Sequence, residues 1–83
     1  MHWDYRLARQ AFRNIERFPR KEQERIFAVL EEMKINPFAG DIKLMQGEEN
    51  VYRRRTGNYR IYFRPNTLQH IFDISLIERK QSH

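Results

Sequence analysis

The sequence predicts an α+β fold in which an N-terminal helical hairpin packs on a mainly antiparallel, twisted sheet of four or five strands. Three observations favour this class. Before Gly40 the apolar residues recur at spacings of three and four, as on one side of a helix, whereas after Gly40 they alternate with polar residues. The length of 83 residues allows one domain with one core, so we expect residues 1–83 to form a single domain.

The helical part follows a short stretch, His2–Leu7, that fits a β-strand. Apolar residues at positions 7, 8, 11, 12, 15 and 18 then form one helical stripe. Pro19 is expected to end this helix near Phe18, because a residue that precedes proline is disfavoured in the α region. A second stripe predicts a helix over about Lys21–Lys34, which Asn36-Pro37 ends. The two helices are expected to lie antiparallel.

Turn residues divide the rest of the chain into four short segments, which predict four strands. These segments are Asp41–Met45, Val51–Arg55, Asn58–Arg64 and Leu68–Ile77. The last segment is apolar enough for a central strand of the sheet. Simple alternation predicts that its core face consists of Leu68, Phe72, Ile74 and Leu76. On the same reasoning His70 is expected to be a structural partner in the core.

The charge balance points to a polyanionic partner. The chain has 16 Lys and Arg against 11 Asp and Glu, a net charge of +5, and 12 of the 16 are arginine, which binds phosphate through a planar fork. It has no cysteine, which excludes disulfides, thiol chemistry and Cys-based zinc sites. No apolar run reaches the ~20 residues of a membrane span, and the N-terminal residues lack a signal peptide's apolar region. We therefore expect a cytoplasmic protein without a membrane partner.

The arginine-rich segment from Val51 to Arg64 is expected to form a hairpin with two distinct faces. If Thr56 and Gly57 are its two-residue turn, Arg53 lies opposite Arg60. Alternation then gives one face that is apolar apart from Arg54. The other face is basic and consists of Arg53, Arg55, Arg60, Tyr62 and Arg64.

The like-charge pair predicted on that basic face destabilises a hairpin by up to about 1 kcal/mol. A phosphodiester backbone would relieve the repulsion between Arg53 and Arg60, and a base would stack on Tyr62. The pattern therefore favours binding of a nucleic-acid backbone by this face. The alternative is a solvated cationic surface that only aids solubility.

The order of these features resembles the RelE/ParE superfamily of toxin–antitoxin toxins, in particular its RelE-like branch of mRNA-cleaving toxins. After the helical hairpin come Lys43-Leu44, Gly47, the string YRRRTGNYRIYF and an apolar strand that leads to Arg79. The resemblance covers nearly the whole chain, and the string YRRRTGNYRIYF is its most specific part. It implies a RelE-like microbial RNase fold and a single RelE-like toxin domain over residues 1–83.

RelE-like toxins enter the ribosomal A site and cleave mRNA: the ribose 2′-OH attacks the adjacent phosphate and leaves a cyclic phosphate and a 5′-OH, without metal or cofactor. The resemblance implies that Arg60 and Arg79 stabilise the phosphate and that Arg53 is a basic position beside them. Lys43 joins the RNA-binding set. We expect Arg53, Arg60 and Arg79 to converge on one site.

The proton carriers are less well defined by the sequence. RelE itself has a catalytic tyrosine beyond the Arg79 position, where this sequence has none, but other RelE-like toxins use a C-terminal histidine. His83 is therefore the candidate acid or base, with Glu48 and Glu49 as an alternative. The spacing of Asp73 and Glu78 indicates neither paired carboxylates nor a metal site.

The resemblance also implies partners and leaves alternatives open. An acidic antitoxin is expected to dock on the basic face, and the ribosome and mRNA are expected to be the targets. One alternative is a ParE-like toxin that inhibits DNA gyrase and needs no catalytic group. The other is a non-catalytic RNA-binding module.

Overall fold

The computed structural model describes residues 2–80, in which two helices pack on a five-stranded sheet. The elements in chain order are β1 (Asp4–Leu7), α1 (Arg9–Glu16), α2 (Arg20–Ile35), β2 (Asp41–Leu44), β3 (Tyr52–Thr56), β4 (Tyr59–Asn66) and β5 (Ile71–Arg79). The strand order is β1-β5-β4-β3-β2, with β1 parallel to β5 and every other neighbouring pair antiparallel. The predicted α+β class is confirmed.

The break between the helices is caused by Pro19, as predicted. It precedes the first residue of α2 with a φ of −56°, a value that its ring favours and that suits a helix start. Its carbonyl oxygen accepts the backbone N–H groups of Glu22 and Gln23 at 2.9 and 3.0 Å. The Gln23 side chain donates to the carbonyl of Phe18 at 2.9 Å, which anchors the short connection to the first turn of α2.

The core lies between the two helices and one face of the sheet. The helices bury Ala11, Ile15, Ile26, Leu30 and Met33, and the central strands bury Tyr59, Ile61, Phe63, Phe72, Ile74 and Ile77. Phe63 on β4 and Phe72 on β5 meet edge to face with their ring centroids 5.8 Å apart. The most apolar predicted strand is therefore central, with β1 on one side and β4 on the other.

A β-bulge at Ser75 divides β5 into two halves with opposite alternation. Phe63 pairs with Ile74 while Tyr62 pairs with Leu76, so Ser75 has no partner on β4. The extra residue turns Leu76 to the face away from the helices and places Ile77 in the core. The core face predicted from simple alternation is therefore wrong at Leu76.

The turn before β5 corrects two further expectations. Leu68 is 96% exposed there and contributes nothing to the core. His70 lies in the same turn with a φ of 54°, and its ring stacks on the indole of Trp3 at a centroid distance of 4.8 Å. It is half-buried beside β1 instead of lying on the apolar face of a strand.

Asn14 on α1 completes the hydrogen bonding of β5 where the parallel neighbour stops. β1 pairs with β5 only as far as Ile74, which leaves later backbone N–H groups on that side without a strand partner. The Asn14 side-chain oxygen accepts the N–H of Ile77 at 3.1 Å. Because an unpaired buried N–H is costly, this bond fixes α1 against the second half of β5.

Arg54 is the one arginine of β3 whose side chain lies on the helix side of the sheet. It is only 14% exposed, donates to the Ala39 carbonyl at 3.0 Å and reaches the Glu32 carboxylate at 3.5 Å. A Cβ atom on Gly40 would lie 2.6 Å from the Arg54 guanidinium carbon, and Gly40 has a φ of +90°. Glycine at position 40 therefore makes room for an arginine that joins β3 to the end of α2.

Neither of the helices formed by residues 2–80 has the combination of length and apolarity that crossing a bilayer requires.

The placement of β5 residues is tested by comparing Ile74→Val with Leu68→Ala. Ile74→Val removes one methylene from the core and should lower the free energy of unfolding by about 0.5–1.5 kcal/mol. Leu68→Ala removes more atoms but should change it by less than about 0.5 kcal/mol, because Leu68 is exposed. Urea unfolding followed by circular dichroism measures both values. A larger loss of unfolding free energy for Leu68→Ala than for Ile74→Val would show that Leu68 belongs to the core, as simple alternation predicts.

Candidate functional site

The β3–β4 hairpin turns at Gly57-Asn58 instead of at Thr56-Gly57. Arg55 therefore pairs with Arg60, and Arg53 pairs with Tyr62. Gly57 has a φ of +55° at the first central position of the turn, a conformation that glycine adopts without steric cost. The predicted pairing of Arg53 with Arg60 is wrong by two residues. A shift of two keeps every side chain on its side of the sheet, so the predicted sorting into an apolar and a basic face is confirmed.

The sheet face away from the helices carries charged side chains in three rows that run across the strands. The first row is Asp41, Arg55, Arg60 and Glu78, the second is Lys43, Arg53, Tyr62 and Leu76, and the third is Arg64, Asp73 and Arg6. We call these three rows the basic face. It brings together six residues that the sequence predicted for RNA binding or catalysis: Lys43, Arg53, Arg55, Arg60, Tyr62 and Arg64.

Two of the cations on the basic face are neutralised by neighbours. The Nε of Arg55 lies 2.8 Å from an Asp41 carboxylate oxygen, and the Nε of Arg6 lies 2.7 Å from an Asp73 oxygen. Such exposed pairs contribute at most about 1 kcal/mol to stability. Their larger effect is electrostatic: Asp41 offsets the repulsion between Arg55 and Arg60, which face each other across β3 and β4.

Arg53 and Arg60 remain available to an external anion. Neither forms an ion pair with any carboxylate of residues 2–80. The Nε of Arg53 is buried and has no hydrogen-bond partner in the described part of the chain. Both side chains are half-buried, and they occupy neighbouring rows on neighbouring strands. The two guanidinium groups thus form a positive region to which a phosphate, with its several acceptor oxygens, is complementary.

Tyr62 and Glu78 form a hydrogen-bonded pair between these two arginine rows. The Tyr62 hydroxyl donates to Glu78 Oε1 at 2.8 Å. Burial raises the pKa of Tyr62, the hydrogen bond and charge of Glu78 raise it further, and the charges of Arg60 and Arg53 oppose the change. Tyr62 therefore stays protonated at neutral pH and acts as a donor to the carboxylate.

Arg79 does not join the basic face, contrary to the convergence expected for Arg53, Arg60 and Arg79. It pairs with Tyr59, whose side chain is buried on the helix side. There it lines a cleft of about 170 Å³ between the hairpin tip and α2, together with Glu22 and Arg25. The cause is the bulge, since a regularly alternating β5 would place Arg79 and Ile74 on opposite faces.

The cleft beside Arg79 surrounds a buried tyrosine. The Tyr59 hydroxyl has no partner in hydrogen-bond geometry among residues 2–80. Burial raises the pKa of Tyr59, the charge of Glu22 adds to this, and the charges of Arg79 and Arg25 oppose it. Arg79 thus lines the cleft beside α2, although Glu78, its neighbour in sequence, lies directly opposite Arg60.

The remaining candidates are the predicted proton carriers. His83, predicted as the acid or base, lies outside the described residues. Glu48 and Glu49 are exposed in the loop between β2 and β3, outside the cross-strand rows. Within residues 2–80 no three acidic or histidine side chains come close enough together to hold a metal ion. The sequence reasoning missed Glu78 because only the bulge brings it to the basic face.

Several solved toxin–antitoxin structures share this fold. A chain of the toxin–antitoxin complex RelBE2 from Mycobacterium tuberculosis superposes with a TM-score of 0.88 at 16% identity, over 96% of this chain and 100% of that one. The RelB–RelE complex from Methanococcus jannaschii gives a TM-score of 0.70 at 25% identity, over 88% and 87%. The YoeB/ParE toxin from Agrobacterium tumefaciens gives 0.77 at 18%, over 94% and 99%.

No protein-family model matches the sequence, and a comparison with curated proteins finds no match. The relationship therefore rests on structure. The chain has the α+β fold of RelE-type toxins, and the resemblance to the RelE/ParE superfamily is confirmed at the level of the fold.

The electrostatic coupling on the basic face is tested through the pKa of Tyr62. Glu78→Gln should lower it, because the carboxylate's charge and strong hydrogen bond are lost, whereas Arg60→Ala should raise it further. Asp73→Asn should leave it unchanged. A pH titration of tyrosines labelled at Cζ, assigned with Tyr62→Phe and followed by NMR, measures the shifts.

The same shift has a consequence for stability. The folded-state pKa of Tyr62 lies above the ordinary value of 10.0, so its contribution to stability is complete below pH 10 and is lost as the pH rises through the folded value. If the pKa of Tyr62 moved in the same direction and by the same amount in Glu78→Gln and in Arg60→Ala, the opposite effects assigned to Glu78 and Arg60 would be contradicted.

Proposed function

We propose that this chain is the toxin of a type II toxin–antitoxin system and acts as a ribosome-dependent, metal-independent endoribonuclease in the cytoplasm. It would bind mRNA in the ribosomal A site and cleave it by attack of a ribose 2′-OH on the adjacent phosphate. The observation that carries the proposal is the pair of unneutralised guanidinium groups, Arg53 and Arg60, on the open face of a RelE-type sheet.

Cleavage of this kind requires positive charge where the pentavalent phosphate develops. Arg53 and Arg60 supply two guanidinium groups from adjacent strands, and Arg55, Arg64 and Lys43 surround them on the same face. Preorganised donors of this kind stabilise the charge that develops in the transition state more strongly than they stabilise the ground state. We assign phosphate stabilisation to Arg53 and Arg60, and RNA positioning to the surrounding cations and Tyr62.

The ribosome would supply what the isolated domain lacks. The basic face is part of an open sheet, and its cations come from strands instead of from the walls of a deep cavity. An open face holds a flexible RNA weakly in the reactive geometry. Immobilising the message in the A site would provide the missing orientation, which is worth several orders of magnitude in rate.

The proposed antitoxin partner follows from the same charge distribution. Solved relatives of this fold are complexes of RelE with RelB. An acidic antitoxin segment would cover the basic face, pair with Arg53 and Arg60, and exclude RNA. Its binding should weaken as the salt concentration rises, since dissolved ions screen the attraction between the antitoxin's carboxylates and the arginines.

The proposal is tested by inducing wild type, Arg60→Ala, Arg53→Ala and Arg13→Ala in cells and mapping message ends by primer extension. Wild type should stop growth and produce discrete cuts. Arg60→Ala should reduce cleavage about 10²-fold or more, as expected for the loss of a group that stabilises the transition state. Arg13→Ala on the exposed side of α1 is the matched control and should behave as wild type.

Arg79→Ala is measured separately in the same experiment, because Arg79 lies on the other face of the sheet. A loss of cleavage comparable to that of Arg60→Ala would return Arg79 to the catalytic set. Growth arrest with a DNA damage response and intact messages would instead support a gyrase inhibitor. Normal growth on induction of wild type would leave the non-catalytic RNA-binding module as the better reading.

A further inference from the structure

The proposed reaction needs a group that takes the proton of the 2′-OH beside the bound phosphate. Such a base must lie within hydrogen-bond reach of the hydroxyl and must not be neutralised by a cation of its own. The basic face carries three carboxylates in the described part of the chain, on Asp41, Asp73 and Glu78. Their contacts distinguish them.

Asp41 and Asp73 are engaged in ion pairs. Asp41 contacts the Arg55 Nε at 2.8 Å, and Asp73 contacts the Arg6 Nε at 2.7 Å and its Nη2 at 3.2 Å. Each carboxylate would have to break its ion pair with an arginine before it could accept a proton. Asp41 also lies on the edge strand β2, whereas Asp73 lies on β5, the strand that carries Glu78.

Glu78 differs from Asp41 and Asp73 in its contacts. It forms no ion pair with residues 2–80 and accepts one hydrogen bond, from the neutral Tyr62 hydroxyl to Oε1. In the described part of the chain no donor is bound to Oε2. Glu78 is half-buried and directly opposite Arg60 on β4. Residues so paired have their Cβ atoms about 4.5–5.5 Å apart, so a phosphate on Arg60 lies beside the carboxylate.

Resting on the proposed function, we propose that Glu78 is the general base of the cleavage reaction and that Tyr62 orients it. The carboxylate takes the proton of the 2′-OH while O2′ bonds to phosphorus and the bond between phosphorus and O5′ breaks. The leaving O5′ takes a proton from water, and the resulting hydroxide removes the proton from Glu78. The products are a 2′,3′-cyclic phosphate and a 5′-OH, and Glu78 is regenerated.

Arg60 and Tyr62 have different roles in this reaction. Arg60 binds the phosphate next to the Glu78 carboxylate. Tyr62 holds Oε1 by a 2.8 Å hydrogen bond, and Oε2 is left to accept the proton of the substrate hydroxyl. Tyr62 is a positioning residue, and its ring would still stack on a base in a Tyr62→Phe variant.

The test is single-turnover cleavage of message on programmed ribosomes by purified wild type, Glu78→Gln, Tyr62→Phe and Glu24→Gln. Glu78→Gln should lower the rate constant about 10²–10⁴-fold, the usual range for a lost general base. The half-saturating toxin concentration should be unchanged or lower, because a negative charge has left the RNA-binding face. Tyr62→Phe should lose less, and Glu24→Gln, the matched control on the exposed side of α2, should cleave as wild type.

A message with sulfur in place of the 5′-bridging oxygen separates base from acid, because a thiolate leaves without a proton. The Glu78→Gln defect should persist on this message. Rescue by sulfur would assign Glu78 to the leaving group and overturn the inference, as would a wild-type rate for Glu78→Gln. In both cases inactive Arg60→Ala would show that the nuclease proposal survives. Absence of cleavage by wild type would overturn the nuclease proposal itself. Circular dichroism and melting confirm that the isosteric variants are folded.

Discussion

The direction of the side chains in the second half of β5 depends on one unpaired residue in that strand. Ser75 has no partner on β4, and its presence reverses which side chains of β5 face the helices. It lets Ile77 fill the core, sends Glu78 to the basic face and leaves Arg79 beside α2. A bulge of this type increases local twist and redirects side chains, which is why bulges are frequent near functional sites.

Two ion pairs neutralise part of the positive charge on the basic face and so stabilise the sheet. Arginines on adjacent strands repel one another, and a fully unpaired cluster would weaken the hairpin. Asp41 and Asp73 offset the charge at the edges, through pairs with Arg55 and Arg6, and leave the centre positive. A phosphate bound there, as proposed, would meet the guanidinium groups of Arg53 and Arg60, which form no ion pair with a carboxylate of residues 2–80. The hydrogen bond between Tyr62 and Glu78 links the two rows to which these arginines belong.

The helices contribute to this face although they lie on the other side of the sheet. Asn14 holds the second half of β5 through the N–H of Ile77, directly before Glu78. Arg54, beneath Gly40, ties β3 to the loop after α2 between the positions of Arg53 and Arg55. Such supports matter because a catalytic group displaced by about 1 Å loses much of its effect. Hydrogen bonds on the helix side of the sheet thus fix the strands that carry the basic face.

Local chemistry sufficed to predict the helices, the break at Pro19, the alternation of the hairpin and the arginine content of its outer face. The alternation of side chains and their charge depend only on residues that are close in sequence. A register shift of two residues leaves both unchanged, so the basic face was predicted correctly. The residue opposite Arg53 depends on the register itself, and it was predicted wrongly. The turn at Gly57-Asn58, the bulge at Ser75 and the pairs Asp41–Arg55 and Tyr62–Glu78 were decided only by tertiary structure. They depend on how strands distant in sequence match their lengths and twist against a common core, and no local pattern contains that information.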